Sequence, residues 1–237
     1  MGSPSRGWLV RGHRLPLEGR HHRVVARAAS RGYIYGTDEL VSLLLRAADR
    51  VAAASPGAVL EVADLSRRGG GDIPQSVTHN SGRDADVAFF ARDAAGRPAR
   101  NAEFTPFDTT GKAGNLTFDV ARNWEFVKAV LTDPAVRVQG VLVARWLRAL
   151  LLEHAARTGE PSRVIQRAQA ALRQPRRAAA HDDHFHLRVH CAPHELAAGC
   201  TDAGRGPRVA VRHFRRDAGR RGRALRPRTD PRRSRPR

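Results

Sequence analysis

The chain has 237 residues, enough for one ordinary domain with its own apolar core. An apolar fraction of 41% is too high for a disordered chain, and no run reaches the roughly 18 apolar residues of a membrane span. The net charge of +19 attracts any polyanion, whether nucleic acid, anionic lipid or acidic wall polymer, and so selects no partner.

In chain order, residues 1–30 are rich in Arg, His and Gly and read as an irregular segment. No apolar region of about 7–15 residues follows the start, so no secretory signal is visible there. Thr37 can cap a helix, with Asp38 and Glu39 in its first turn. Leu40, Val41, Leu44, Ala47, Ala48 and Val51 then recur at helical spacing up to Pro56 and Gly57. The run Ala58–Ala63 reads as a buried strand, Arg67–Asp72 as a loop, Asp84–Phe90 as a strand and Asp93–Arg100 as a turn. Asp119 can cap a second helix that carries Trp124, Val127, Val130 and Leu131 on its apolar side and stops at Asp133 and Pro134. A strand over Val138–Val143 follows, then helices from Arg145 to about Ala156 and from Ser162 to about Arg173. His184–Val189 is a strand.

This order mixes helices with strands that need not run parallel, which predicts an α+β class with a small antiparallel sheet flanked by helices. After Cys200 the apolar periodicity is lost. Residues 203–237 hold 14 arginines against Asp217 and Asp230, and so +12 of the total charge, which predicts a disordered basic tail from 202 to 237. Only Lys112 and Lys128 among the 42 basic residues are lysine. A GC-rich coding sequence explains that skew more simply than a selected contact surface does.

Two clusters carry chemistry. One is Thr78 to Asp86, with His79, Asp84 and Asp86. The other is His181 to Cys191, with His181, His184, His186 and His190; with His194, it gathers five of the eleven histidines. Side chains two apart on a strand share a face, so His184 and His186 project together while Phe185 and Leu187 face away. Two imidazoles on one face begin a zinc site, since zinc takes neutral His nitrogen and carboxylate oxygen and a catalytic site has three protein ligands. Gly82 permits a bend that returns His79 beside the Asp84–Phe90 strand. Asp84 and Asp86 share one face of that strand, and spacing does not choose between them. Cys191 and Cys200 are close enough in sequence to form a small disulfide in an exported protein.

The two clusters together, the first as [ST]-H-x-x-G-x-D-x-D and the second about a hundred residues later over His181–Cys191, resemble the penicillin-insensitive murein endopeptidases. These belong to the wider LAS group of metallopeptidases. The likeness runs from about Arg31 to Cys200 and includes Val62–Gly71 and Phe118–Trp124, so it marks 31–201 as the metallopeptidase domain. It implies one zinc ion on His79, Asp86 and His186, and so prefers Asp86 to Asp84. It implies that His184 is a catalytic base or transition-state stabiliser, that His181 is a further active-site histidine, and that Cys191 pairs with Cys200. The implied substrate is cross-linked peptidoglycan, cut at the D-alanyl–meso-diaminopimelyl bond, and the implied location is the periplasm. Some members have a histidine where this chain has Ser76, which restricts the expectation to one metal.

Two other readings make different predictions. A LAS-like domain that only binds wall peptides has no turnover, and intact His181 and His184 argue against it. A nucleic-acid-binding protein driven by charge binds in a salt-sensitive way that survives metal removal, but no recognised nucleic-acid motif is present and aromatic residues are only 5%.

Overall fold

The computed structural model describes residues 1–175 and 179–202, so the basic tail, apart from Asp202, lies outside the described residues. Helices and strands mix as α+β. The largest sheet has six strands in the spatial order Leu172–Arg173, Val138–Leu142, His184–Val189, Asp84–Ala88, Leu60–Val62 and His22–Val24. Its middle is antiparallel. Its two edge strands pair in parallel with their neighbours.

Alternation along the two central strands divides the sheet into two faces. Ala85, Val87, Phe185, Leu187 and Val189 are fully buried on one face. The helix Val120–Leu131 packs there, with Phe126 stacked on Phe185 at 5.4 Å and Phe89 edge-on to Phe185 at 4.6 Å. Burying each such side chain contributes roughly 1.5–3 kcal/mol. The opposite face carries Asp84, Asp86, His184, His186 and Arg188. The expected caps are present. Thr37 accepts from Leu40 N at 3.3 Å at the start of Asp38–Ala54, and Asp119 accepts from Arg122 N at 3.3 Å. Among the described residues no helix is long and apolar enough to cross a membrane.

Several segments differ from the expectations. Residues 1–30 are not merely irregular. They supply the sheet's edge strand and three two-residue strands, and they bury Leu15, Val24, Val25 and Ala28. His22 is buried in that edge strand and donates from Nε2 to the Pro16 carbonyl at 3.0 Å. The helix from Ser162 ends at Ala171, because Leu172 and Arg173 turn extended and join the sheet. Asp93–Arg100 contains a turn but ends in a short strand, Pro98–Ala99.

The chain ends of the domain are tied together. Cys191 and Cys200 form a disulfide, and Gly2 pairs with Cys200. Asp202 accepts from Cys191 N at 2.8 Å and from the wholly buried Arg83 at 3.0 Å, while Arg83 also donates to Thr201 O at 2.7 Å. A buried guanidinium needs that carboxylate, and the disulfide keeps it near. Closing a loop of this length is worth about 2–3 kcal/mol through the unfolded state. Replacing both cysteines with serine is expected to lower stability by about that amount, read by denaturant melts; an unchanged midpoint would show that the loop is held without the bond.

Candidate metal centre

The strand register builds the centre. His186 lies directly across from Asp86, and Arg188 from Asp84. All four project to the face opposite the core. The His186 ring therefore sits between two carboxylates, with Nδ1 3.0 Å from Asp86 Oδ1 and Nε2 2.8 Å from Asp84 Oδ1. Arg188 Nε donates to the same Asp84 oxygen at 2.6 Å. Spacing left Asp84 and Asp86 equivalent. Register separates them, with Asp86 on the open side of the imidazole and Asp84 behind it.

His79 arrives from the other side of the site. Its φ of 75° is left-handed, a conformation unusual outside glycine. The bend behind it uses Gly82, also left-handed at 71°, where a Cβ would stand 2.7 Å from the Leu9 side chain. The loop is fastened by Asn80 N to Pro4 O at 3.0 Å and Thr37 N to Gly82 O at 2.8 Å. His79 is completely buried, and its Nδ1 donates to the Leu65 carbonyl at 2.6 Å. That bond aims Nε2 at Asp86 Oδ1, 3.4 Å away, but among the described residues Nε2 has no hydrogen-bond partner. A buried polar atom left this way costs roughly 1–3 kcal/mol.

His79, Asp86 and His186 offer ligand atoms that all lie within 4.8 Å of one another. Two imidazole nitrogens and a carboxylate oxygen form a donor set for a borderline divalent cation. A cation among them gives the orphaned His79 nitrogen a partner, so the residues fit a metal.

His184 and His181 flank this set. His184 Nδ1 donates to Asp183 Oδ1 at 2.6 Å, and its Nε2 lies 3.4 Å from Asp86 Oδ1. Asp183, one of the two neighbouring aspartates, thus serves His184, while Asp182 uses its backbone carbonyl to accept from Phe107 N at 2.8 Å. His181, with φ of 54°, donates from Nδ1 to Ala179 O at 3.0 Å. Its ring lies 5.1 Å from that of His184 and 5.7 Å from that of His186. His181, His184 and His186 also bring their nitrogens within 4.8 Å of one another, but His186 is shared with the first set. His190 pairs with Asp202 at 2.8 Å, and His194 is exposed; neither enters the site. Ser76 hydrogen-bonds locally to Thr78.

The charges are mutually dependent. Burial pushes the Asp86 carboxyl up, but His79, His184 and His186 outweigh it and hold the group well below the ordinary carboxylate value. Burial also opposes ionisation of Asp84, and His186 with Arg188 overcomes it. Burial alone would lower His184 and His186. Asp183 and Asp86 raise the first to about 9, and Asp84 and Asp86 raise the second to about 9. Burial lowers His181, with His184 and His186 acting in the same direction. The Asp84 and Asp86 carboxylates thus draw positive charge to the site, a charge that either protons or a cation can supply.

A carboxylate behind a ligand imidazole fixes its ring and raises its basicity. Asp84→Asn is expected to keep the fold and weaken metal binding roughly 10- to 100-fold, read by competition with a chelator. Unchanged affinity would show that Asp84 does not act through His186. Residue types alone could not reveal the Leu65 carbonyl or Asp84 in these supporting positions, whereas the acidic pair Asp182 and Asp183 beside the histidines already offers an acceptor for an imidazole N–H, and the structure gives that part to Asp183. The HxH spacing, the local density of histidine and the His79–Asp86 segment pointed to the site, and the paired motifs named its members.

The family model for penicillin-insensitive murein endopeptidases matches residues 1–208. The match takes in the first 30 residues, which the sequence motifs had left outside the likeness. No curated protein matches the chain.

Proposed function

We propose, proceeding from the fact that the chain belongs to the penicillin-insensitive murein endopeptidase family, that it is a zinc metallopeptidase cutting the D-alanyl–meso-diaminopimelyl cross-links of peptidoglycan in the periplasm. In this reading His79, Asp86 and His186 hold the zinc ion. The observation that carries it is the buried, unpartnered Nε2 of His79, aimed at Asp86 beside His186. Two nitrogens and one carboxylate oxygen are the ligand types of catalytic zinc.

When bound, zinc supplies Lewis acidity toward the scissile carbonyl and toward a water molecule. The chain's own groups do the rest. Asp183 accepts the Nδ1 proton of His184, which leaves Nε2 as the working atom facing the site. At Nε2, His184 takes the proton of the attacking water or donates to the oxyanion as the carbonyl becomes tetrahedral. His181, held through Nδ1 by the Ala179 carbonyl, presents Nε2 to orient His184 or to pass a proton to the leaving amine. Asp84 keeps the His186 ring in place from behind, and Leu65 does the same for His79. No serine nucleophile takes part, so a β-lactam has no acyl acceptor to block.

The test joins metal analysis to digestion of purified cross-linked muropeptide dimers. The expected result is about one zinc per chain and conversion of dimers to monomers. Chelation should abolish cleavage, zinc should restore it, and penicillin should leave it unaffected. Cleavage that survives complete removal of metal would overturn the reading.

A further inference from the structure

Four non-glycine residues among those described have left-handed φ: Arg11, His79, Phe104 and His181. Two of the four, His79 and His181, belong to the candidate site, and Phe104 reaches it from a distant loop. A bulky side chain at φ 57° is a genuine outlier, and such strain costs about 1–3 kcal/mol. The surrounding structure holds it there. Phe104 N donates to Asn101 O at 3.1 Å, and the buried Asn101 side chain accepts from Thr105 N at 2.9 Å. Arg27 donates to the Ala102 carbonyl. Three residues on, Phe107 N bonds the Asp182 carbonyl at 2.8 Å, and Trp146 Nε1 donates to Phe107 O at 2.9 Å. The loop is therefore sewn to the histidine cluster itself.

This strain brings one specific contact. The Phe104 ring lies nearly parallel to the His184 imidazole, at 19°, with centroids 4.7 Å apart. The Arg27 guanidinium carbon stands 4.2 Å from the centroid of the same phenyl ring. A cation over an aromatic face is attracted by the ring quadrupole, which keeps the phenyl group from swinging away. His184 needs such a constraint. The Asp183 bond and the 3.4 Å approach of Nε2 to Asp86 both act on the edge of its ring, and edge contacts leave its faces unsupported. A flat group against its face removes the remaining freedom.

We propose that Phe104 is a positioning residue that fixes the plane of His184, and that Arg27 holds Phe104 in that role. The inference rests on the part assigned to His184 in proton transfer. Productive geometry tolerates only about 10–20° of error, so a rocking imidazole should slow the chemical step more than it weakens substrate binding.

The test compares shape with planarity in the full-length, zinc-loaded protein. Phe104→Leu preserves most of the volume but not the flat face. It is expected to keep zinc content and melting temperature, to leave KM within about twofold, and to lower kcat roughly 10- to 100-fold, as for other supporting contacts of a site. Phe104→Tyr restores the plane and should restore kcat. Arg27→Met leaves residue 104 intact and is expected to lower kcat in the same direction with zinc content unchanged. Equal kcat in the Leu and Tyr variants, or a loss in Phe104→Leu that follows loss of zinc, would overturn the proposal. An unchanged kcat in Arg27→Met would remove Arg27 from it. Long-range 1H–15N NMR of the imidazoles in metal-free protein gives an independent readout. His184 should show one fixed Nδ1 hydrogen bond in wild type and averaging in Phe104→Leu; identical spectra would also overturn the proposal. Full turnover in His184→Ala, by contrast, would count against the role given to His184 and not against the contact.

Discussion

His186→Ala is expected to lose both the metal and the cleavage of cross-linked peptides. His186 stands at the centre of the cross-strand arrangement, with one ring nitrogen toward Asp86 and the other toward Asp84. Its removal takes away a proposed ligand and also leaves the Asp84 and Asp86 carboxylates without the ring between them, with Arg188 the remaining salt-bridge partner of Asp84 among the described residues. Breaking a buried ionic contact of this kind costs about 3–5 kcal/mol. If that loss falls on metal binding, affinity drops by roughly 10²–10⁴ at about 1.4 kcal/mol per tenfold. Zinc content after gel filtration and the rate of dimer conversion measure the two losses together. A variant that keeps full zinc and full cleavage would remove His186 from the ligand set, and with it the proposed centre.

His184→Ala is expected to separate what His186→Ala joins. His184 Nε2 lies 3.4 Å from Asp86 Oδ1, and its shorter bond, at 2.6 Å, is to Asp183 outside the proposed ligand set. The metal should therefore stay. Turnover should fall by about 10²–10⁴, the usual size of a general acid–base contribution, with KM little changed because the group acts on the proton in flight. Zinc content, kcat and KM from one preparation decide the matter. Undiminished turnover would exclude His184 from proton transfer, and parallel loss of zinc would make it a ligand instead.

Much of the site was legible because β-structure has a period of two. The alternation in His184–Val189 is enough to put His184 and His186 on one side and Phe185 and Leu187 on the other, whatever the strand pairs with. The same rule put Asp84 and Asp86 together, and for the same reason could not separate them. Only their partners across the strand differ. The helices at Asp38–Ala54 and Val120–Leu131 were equally legible, since a cap and an apolar stripe are local properties.

The first 30 residues show the opposite case. Their strands are two or three residues long, too short to carry a period, and their apolar residues become core only when the sheet edge and the His79 loop come against them. Leu172 and Arg173 extended a helical pattern in sequence, yet an unpaired sheet edge took their backbone. Phe104 stood in a stretch with no periodic signal, and its strained backbone exists because distant Arg27, Asn101 and Asp182 hold the loop.

The sequence by itself determined the α+β mixture, the cysteine pair, and the residue types able to hold and serve a metal, because each depends on local spacing or on side-chain chemistry. The tertiary structure added that Asp86 lies on the open side of His186 while Asp84 lies behind it, that His79 has one buried nitrogen without a partner among the described residues, and that Phe104 lies against His184. Those facts depend on strand register and loop closure, which are set by the burial of one sheet face against a helix far along the chain and have no image in the spacing of neighbouring residues.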